Sequence, residues 1–254
     1  MSKKNISVPQ CKPGSRVLII GGSGGIGNAV IRMLRISDDI VLGIHGACGN
    51  DYSEDAFHHY LYGTLDSESD CQDLIDRFIR ITGGLDVLLN LAGGIHFSGH
   101  WMDMNERDYL KDINLNLNMP FFLSKIAMKF MLDHNSWGRI ILTGTESALH
   151  GGSALSFPYA IAKRGTECMV QGLAREGANK NILVNGVRMG FITSGFHQRW
   201  HSKTKDDMKE RASLVPLKRG GTPDEVAALM IYLMSEHSNF ITGQMIPITG
   251  GDWL

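Results

Sequence analysis

Short apolar runs alternate with helical patterns from one end of this 254-residue sequence to the other. Residues 17–20, 40–44, 60–62, 86–94, 139–142, 183–187 and 245–248 have the length of strands. Between them, residues 25–36, 69–81, 106–132, 156–177 and 223–234 carry helical spacing. In the second helical segment Leu74, Ile75, Phe78 and Ile79 fall on one face. Strands that are apolar throughout must be covered on both sides, which calls for a parallel sheet between helical layers. Right-handed crossovers then give an α/β doubly wound fold of seven strands, a Rossmann fold. The spacing predicts one domain over residues 1–254, with 191–221 as its single long irregular stretch. A loop of that length in a compact domain reads as a substrate lid.

Composition narrows the function classes. A 43% hydrophobic content is enough for one sizeable core. The formal net charge of −1 lacks the basic surplus of a nucleic-acid binder. The longest apolar runs are strand-sized, too short to span a bilayer. The polar start "MSKKNISVPQCKPGS" has no apolar core of a secretory leader. Cys11, Cys48, Cys71 and Cys168 are scattered, with no C-x-x-C pair, so no metal or disulfide framework is expected. These features together predict a soluble, cytoplasmic protein.

"IGGSGGIG", residues 20–27, holds five glycines in eight positions. It follows a strand and opens a helix, the context a phosphate-binding turn requires. Glycine lets the backbone approach a pyrophosphate, and the helix N-terminus supplies free N–H groups and partial positive charge. Two registers compete. Gly22, Gly24 and Gly27 spell G-x-G-x-x-G; Gly21, Gly25 and Gly27 spell G-x-x-x-G-x-G. The first register wants an acid at the end of the second strand to bind a ribose 2′-hydroxyl. That strand ends "VLGIHGACGN", with His45 and Gly46 in that place, while Asp38 and Asp39 precede the strand as turn residues. The missing acid leans slightly toward NADP(H), although no Arg or Lys stands nearby to pair with a 2′-phosphate. His45 has two open readings, a ribose contact and a strand-edge cap.

"SFPYAIAKRG" sets Tyr159 and Lys163 four residues apart, on one helical face. A free tyrosine ionises too high for acid/base work near neutrality, and an adjacent ammonium is expected to lower its pKa. The pair gains meaning from the motifs around it. The chain resembles the short-chain dehydrogenase/reductases over residues 16–251. The carriers are Gly21–Gly25–Gly27, "NLAG" at 90–93, Asn116 in "NLNMPFFLSK", Tyr159 with Lys163, "LVNGVRMG" at 183–190 and "ITGQMIPITGG" at 241–251. This resemblance implies hydride transfer between NAD(P)(H) and a small carbonyl or alcohol substrate, in a homodimer or homotetramer built through the two long helices. It implies Tyr159 as acid or base, Lys163 as ribose ligand and tuner, and Asn116 as holder of a relay water. Ser23 becomes a phosphate ligand, and Gly22 and Gly24 become spare flexibility. The resemblance also puts Ile26, His45, Leu65, Asn90, Ala92, Gly93, Gly190 and Ile192 at the cofactor.

Several positions depart from the family pattern. The hydroxyl that binds the substrate oxygen is the second serine of a G-R-I-x-x-I-S-S strand end. Counting from Gly138 reaches Thr145, whereas counting back thirteen from Tyr159 reaches Glu146, so one residue is inserted. Thr145 and Ser147 both remain candidates; strand register favours Thr145. Glu146 reads as a solvated loop residue. After Gly190 the nicotinamide-contacting hydroxyl is Thr193 or Ser194. His197, Arg199, His201, Lys203 and Lys205 make the first half of the lid basic, either as a solvated surface or toward an anionic substrate. Ile20, Leu91, Thr145 and Met189 all replace family residues, which keeps open a catalytically weakened nucleotide-binding or sensor protein. A dehydratase or epimerase on this fold would carry a longer chain.

Overall fold

The structure is a computed structural model that describes residues 8–36, 39–46, 58–134 and 137–252; Asp38 and Cys48 lie outside them. Seven strands form one sheet: β1 Arg16–Ile20, β2 Val41–His45, β3 His58–Leu61, β4 Val87–Asn90, β5 Gly138–Thr145, β6 Ile182–Met189 and β7 Met245–Ile248. Their order is β3-β2-β1-β4-β5-β6-β7, and every pairing is parallel. The helices are α1 Gly25–Leu34, α2 Glu68–Thr82, α3 Glu106–Ile113, α4 Met119–His134, α5 Phe157–Gly177, α6 Phe196–His201, α7 Lys205–Leu214 and α8 Pro223–Met234.

The inner strands are mostly apolar because they serve two cores. Val17 and Ile19 of β1 face one way, into a cluster with Ala29 and Ile31 of α1 and Met230 and Leu233 of α8. Leu18 and Ile20 face the other way, against Leu74 and Phe78 of α2 and Leu123 and Ala127 of α4. These four side chains are fully buried. At about 1.5–3 kcal/mol per buried aliphatic side chain, one strand of this kind anchors both helical layers.

Local signals end the elements where the sequence suggests. Thr222 caps α8 by accepting the Glu225 N–H, and Glu225 reaches back to the Thr222 N–H, with Pro223 in the first turn. Ser67 and Asp70 make the same box on α2, which ends at Gly83 with φ 77°. Helix α1 differs: its N-cap is Gly24 and no side chain caps it. Its first amides therefore remain available where β1 ends.

Two expectations change. The helical pattern over 106–132 is two helices joined by a π turn, Asn114–Asn118, because Asn116 turns inward there. The stretch 191–221 is not irregular: it holds α6 and α7. Helix α7 starts at a second Thr–Asp box, Thr204 with Asp207.

Candidate active site

The chain reverses direction across the sheet between β1 and β4, and the C-terminal ends of these strands open into a cleft of about 640 Å³. Such a reversal leaves a crevice between diverging loops. The glycine turn forms one wall. Gly21 and Gly22 donate their N–H groups to the His45 carbonyl at 2.8 and 2.9 Å. Gly21 has φ +81°, and a Cβ there would lie 2.7 Å from the Ala92 nitrogen. A Cβ on Gly25 would meet the Ser194 carbonyl oxygen at 2.5 Å, and one on Gly27 the Gly22 oxygen at 2.4 Å. Packing thus demands glycine in the Gly21–Gly25–Gly27 register. Gly24 has room, with its nearest neighbour at 3.5 Å, but Gly22 is not spare: a Cβ would strike Ile44 at 2.6 Å. Ser23 and Ile26 also line the cleft.

The end of β2 contributes through its backbone. The His45 ring bonds the Gly63 carbonyl at 2.9 Å through Nε2, and burial lowers its pKa. Neither this ring nor Leu65, which packs on the α2–α4 core, reaches the cleft wall. Asn90, at the end of β4, is buried; its Oδ1 accepts the Ala92 N–H at 3.0 Å, while Nδ2 has no hydrogen-bond partner among the described residues. It shapes the turn that presents Ala92 and Gly93 to the cleft. Asn116 is wholly buried behind that turn. Its Nδ2 donates to the carbonyls of Gly94 and Asp112, both at 2.8 Å, and its Oδ1 accepts the Gly94 N–H at 3.1 Å. A Cβ on Gly93 would lie 3.0 Å from Asn116 Oδ1 and 3.2 Å from Lys163 Nζ, so these two side chains converge on Gly93.

Tyr159 and Lys163 both line the cleft from the first turns of α5, with the Lys163 ammonium 5.8 Å from the Tyr159 ring centroid. Lys163 is buried, and burial pulls its pKa down to about 8. Burial also raises the Tyr159 pKa above the ordinary phenol value. This reverses the expectation that the ammonium lowers it. Desolvation of the charged form is the cause of both shifts.

Two hydroxyls stand at the end of β5. Thr145 and Ser147 line the cleft with their oxygens 3.1 Å apart, and Thr145 also donates to the Met189 carbonyl at 3.4 Å. The geometry keeps both as candidates. Glu146 between them is not solvated: it is buried and accepts from Arg188 Nε at 2.6 Å. Beyond β6, Gly190, Ile192 and Ser194 line the cleft. Thr193 does not; its hydroxyl donates to the Gly221 carbonyl at 3.0 Å.

The lid closes the far side. Phe196 lies 5.9 Å from the Tyr159 ring, and Trp200 meets His96 edge-on at 5.8 Å. This aromatic pair went unnoticed in the sequence, although its i, i+4 spacing in "FHQRW" was the available signal. His197, Arg199, His201 and Lys203 line the cleft, and Lys205 does not. Asp207 and Glu210 share the same wall. Burial lowers the His197 pKa to about 4, so that ring is neutral. Arg211 lies on the same wall too, so the wall is mixed in charge, and Arg199 and Lys203 keep the first half of the lid basic. No group of three or more metal-ligating residues occurs among the described residues.

The cleft suits a dinucleotide. Its glycine wall has no room for a Cβ at Gly21, Gly25 or Gly27, the α1 N-cap is a glycine with no capping side chain, and the volume falls in the usual ligand range. Comparisons with known proteins agree. A family model described as enoyl-(acyl carrier protein) reductase matches residues 51–252. The 3-oxoacyl-(acyl-carrier-protein) reductase FabG of Rickettsia conorii is 31% identical over 248 residues, covering 94% of this chain and 96% of that protein. The 3-oxoacyl-(acyl-carrier-protein) reductase MabA of Mycobacterium bovis is 31% identical over 242 residues, covering 92% and 91%. Among solved structures, ElxO with NADP bound superposes with a TM-score of 0.82 at 28% identity, over 94% of this chain and 98% of that one.

Proposed function

This chain belongs to the short-chain dehydrogenase/reductase family, and from that premise we propose that it is an NADPH-dependent reductase that converts a ketone to a secondary alcohol. The observation that carries the reading is the convergence of Tyr159, Lys163 and the Thr145–Ser147 hydroxyl pair on the cleft walled by the glycine turn. When bound, the nicotinamide supplies the hydride. The glycine turn, Ser23 and the α1 N-terminus hold its phosphates, and Lys163 holds a ribose hydroxyl. Gly190, Ile192 and Ser194 flank the nicotinamide end.

The rest of the chemistry belongs to the chain's own side chains. A Thr145 or Ser147 hydroxyl donates to the substrate oxygen and polarises the carbonyl. Tyr159 releases its phenolic proton to that oxygen as negative charge develops there. Tyr159 is protonated at neutral pH, as a phenol ordinarily is, and burial raises its pKa further, so the acid needed for reduction is the standing form. Asn116 fixes the Gly94 backbone, and with it the adjoining Gly93 that Lys163 approaches, the wall against which the ribose would rest. Phe196 and Trp200 exclude water from the carbonyl.

NADPH is favoured over NADH because β2 ends in a neutral histidine rather than a carboxylate that would repel a 2′-phosphate. The relatives' names point to 3-oxoacyl thioesters as the substrate class to try first. Exposed Phe121 on α4 and Ile161 on α5 favour a dimer or tetramer through these two helices. No helix among the described residues is long and apolar enough to cross a membrane, and Cys11, Cys71 and Cys168 are free thiols, which fits a cytoplasmic enzyme. The test is NADPH and NADH consumption, followed by absorbance, against 3-oxobutanoyl-N-acetylcysteamine, cyclic ketones and α-keto acids. Turnover of at least one carbonyl compound, faster with NADPH, is expected. No turnover by protein that binds NADPH would sink the reading.

A further inference from the structure

We propose that Arg188 is a positioning residue that ties the hydroxyl-bearing turn after β5 to the helix carrying Tyr159 and Lys163. The inference rests on the catalytic reading above. Arg188, near the end of β6, pairs with two carboxylates on two different elements. Its Nε donates to Glu146 at 2.6 Å and its Nη1 to Glu167 at 3.4 Å. Glu146 opens the 3-10 turn after β5; Glu167 is on α5, one turn beyond Lys163. The three side chains are only 16%, 7% and 15% exposed, so the ions are little screened by water. Arg164 takes the other Glu167 oxygen at 2.6 Å, which balances two carboxylates with two guanidiniums.

The position of the bridge gives it its effect. Side chains alternate across a strand. Thr145 and Met189 are register partners and both line the cleft, whereas the side chain of Arg188, one residue earlier on β6, points to the opposite side of the sheet and does not line it. That side is filled: a Cβ on Gly144 would strike the Met245 methyl at 2.6 Å and lie 3.8 Å from Arg188 Cγ, so glycine there lets Met245 and Arg188 pack side by side. Glu146 follows the same parity and turns away from the cleft into Arg188. Its neighbours Thr145 and Ser147 are thereby turned into the cleft, with their hydroxyls in contact. The segment from Thr145 to Tyr159 is one residue longer than the family spacing, which leaves this turn's register to be fixed by something other than chain length. A planar guanidinium spanning two carboxylates fixes both distance and direction, as a flexible ammonium does not.

The test compares Arg188→Met, Arg188→Lys and Glu146→Gln with the parent and with Tyr159→Phe, using NADPH and 3-oxobutanoyl-N-acetylcysteamine. Displacement of the hydroxyls by about 1 Å predicts a kcat loss on the order of 10²-fold in Arg188→Met. NADPH affinity stays unchanged, because α5 is anchored by Val170 and Ala174 in the α2–α4 core, so the turn shifts while Lys163 and the glycine turn do not. Arg188→Lys recovers part of the loss, since one ammonium reaches only one carboxylate. Amide hydrogen exchange, read without turnover, should quicken in residues 144–150 of Arg188→Met and leave the glycine turn unaltered. Parental kcat in folded Arg188→Met, or unchanged exchange in 144–150, overturns the proposal; so does a kcat loss matched by an equal loss of NADPH affinity. If Arg188→Met does not fold, Glu146→Gln decides by the same outcomes. Full turnover by Tyr159→Phe would instead refute the catalytic reading and leave the exchange result to judge the bridge.

Discussion

Gly94→Ala should act on the lid rather than on the sheet. A Cβ at residue 94 would lie 2.5, 2.7 and 2.9 Å from Cζ2, Cε2 and Cη2 of the Trp200 indole. Carbon atoms rest at about 3.5–4.0 Å, so the ring must retreat by about 1 Å or more. The backbone of Gly94 cannot yield, because its N–H and carbonyl are both bonded to the buried Asn116 amide. Helix α6 can: it has six residues and left-handed residues at both ends, Gly195 at φ 85° and Ser202 at φ 50°. Its other aromatic, Phe196, rests against Tyr159. Overpacking of this kind costs about 1–3 kcal/mol, which corresponds to an increase in ketone KM of about 5- to 150-fold. The assay is initial NADPH consumption across ketone concentration, with a thermal melt on the same samples. The melt should barely move, because the strained element is peripheral to both cores. The effect of Gly94→Ala should vanish when measured in a Trp200→Leu background. A KM increase of the same size in that background would refute the reasoning, since the clash would then not be with the indole.

Three further outcomes follow from the geometry. Lys163 ionises at about 8 in the folded protein and at 10.5 ordinarily, so between those values the unfolded chain holds a proton the native state lacks. Stability from this residue therefore rises with pH through that window, and the penalty is full below it. Lys163→Met should stabilise the cofactor-free protein at pH 7 by on the order of 3 kcal/mol, the difference shrinking toward pH 10.5; denaturant melts showing a constant difference would contradict this. Thr145→Ala and Ser147→Ala separate the two candidate hydroxyls: the one that polarises the carbonyl should lower kcat about 10²-fold, and its neighbour, acting only through the 3.1 Å bond, much less. Thr222→Ala removes the acceptor for the Glu225 N–H and should cost about 1 kcal/mol in urea titration, with NADPH affinity unchanged.

What the sequence made legible is local or strongly periodic. The strand–helix alternation gave the layers, and the Thr222–Pro223–Glu225 cap gave the start of α8 to the residue. The glycine register was separable because its competitor lacked an acid, and the cleft shows the steric reason at Gly21, Gly25 and Gly27. What was hidden depends on partners far along the chain. Glu146 has the composition of a solvated turn, yet its partner Arg188 is 42 residues away and reachable only once β5 and β6 pair. His45 serves the turn through its carbonyl, a role no side-chain motif reports. The π turn at Asn116 interrupts a pattern that otherwise reads as one continuous helix. Helix α7 is polar on all sides and has no apolar stripe to find, although Thr204 and Asp207 were a capping signal. The direction of the Tyr159 shift is not legible in the sequence, because a neighbouring charge is visible there and burial is not.

The measurement closest to the central claim is single-turnover hydride transfer by Tyr159→Phe. The substitution removes one hydroxyl from the cleft and leaves the glycine turn, Lys163 and the Thr145–Ser147 pair in place. We expect NADPH affinity equal to the parent and a transfer rate lower by about 10²–10⁴-fold, the usual range for loss of a positioned acid. A parental transfer rate in Tyr159→Phe, with NADPH bound, would contradict the assignment of the proton donor and with it the account of this cleft.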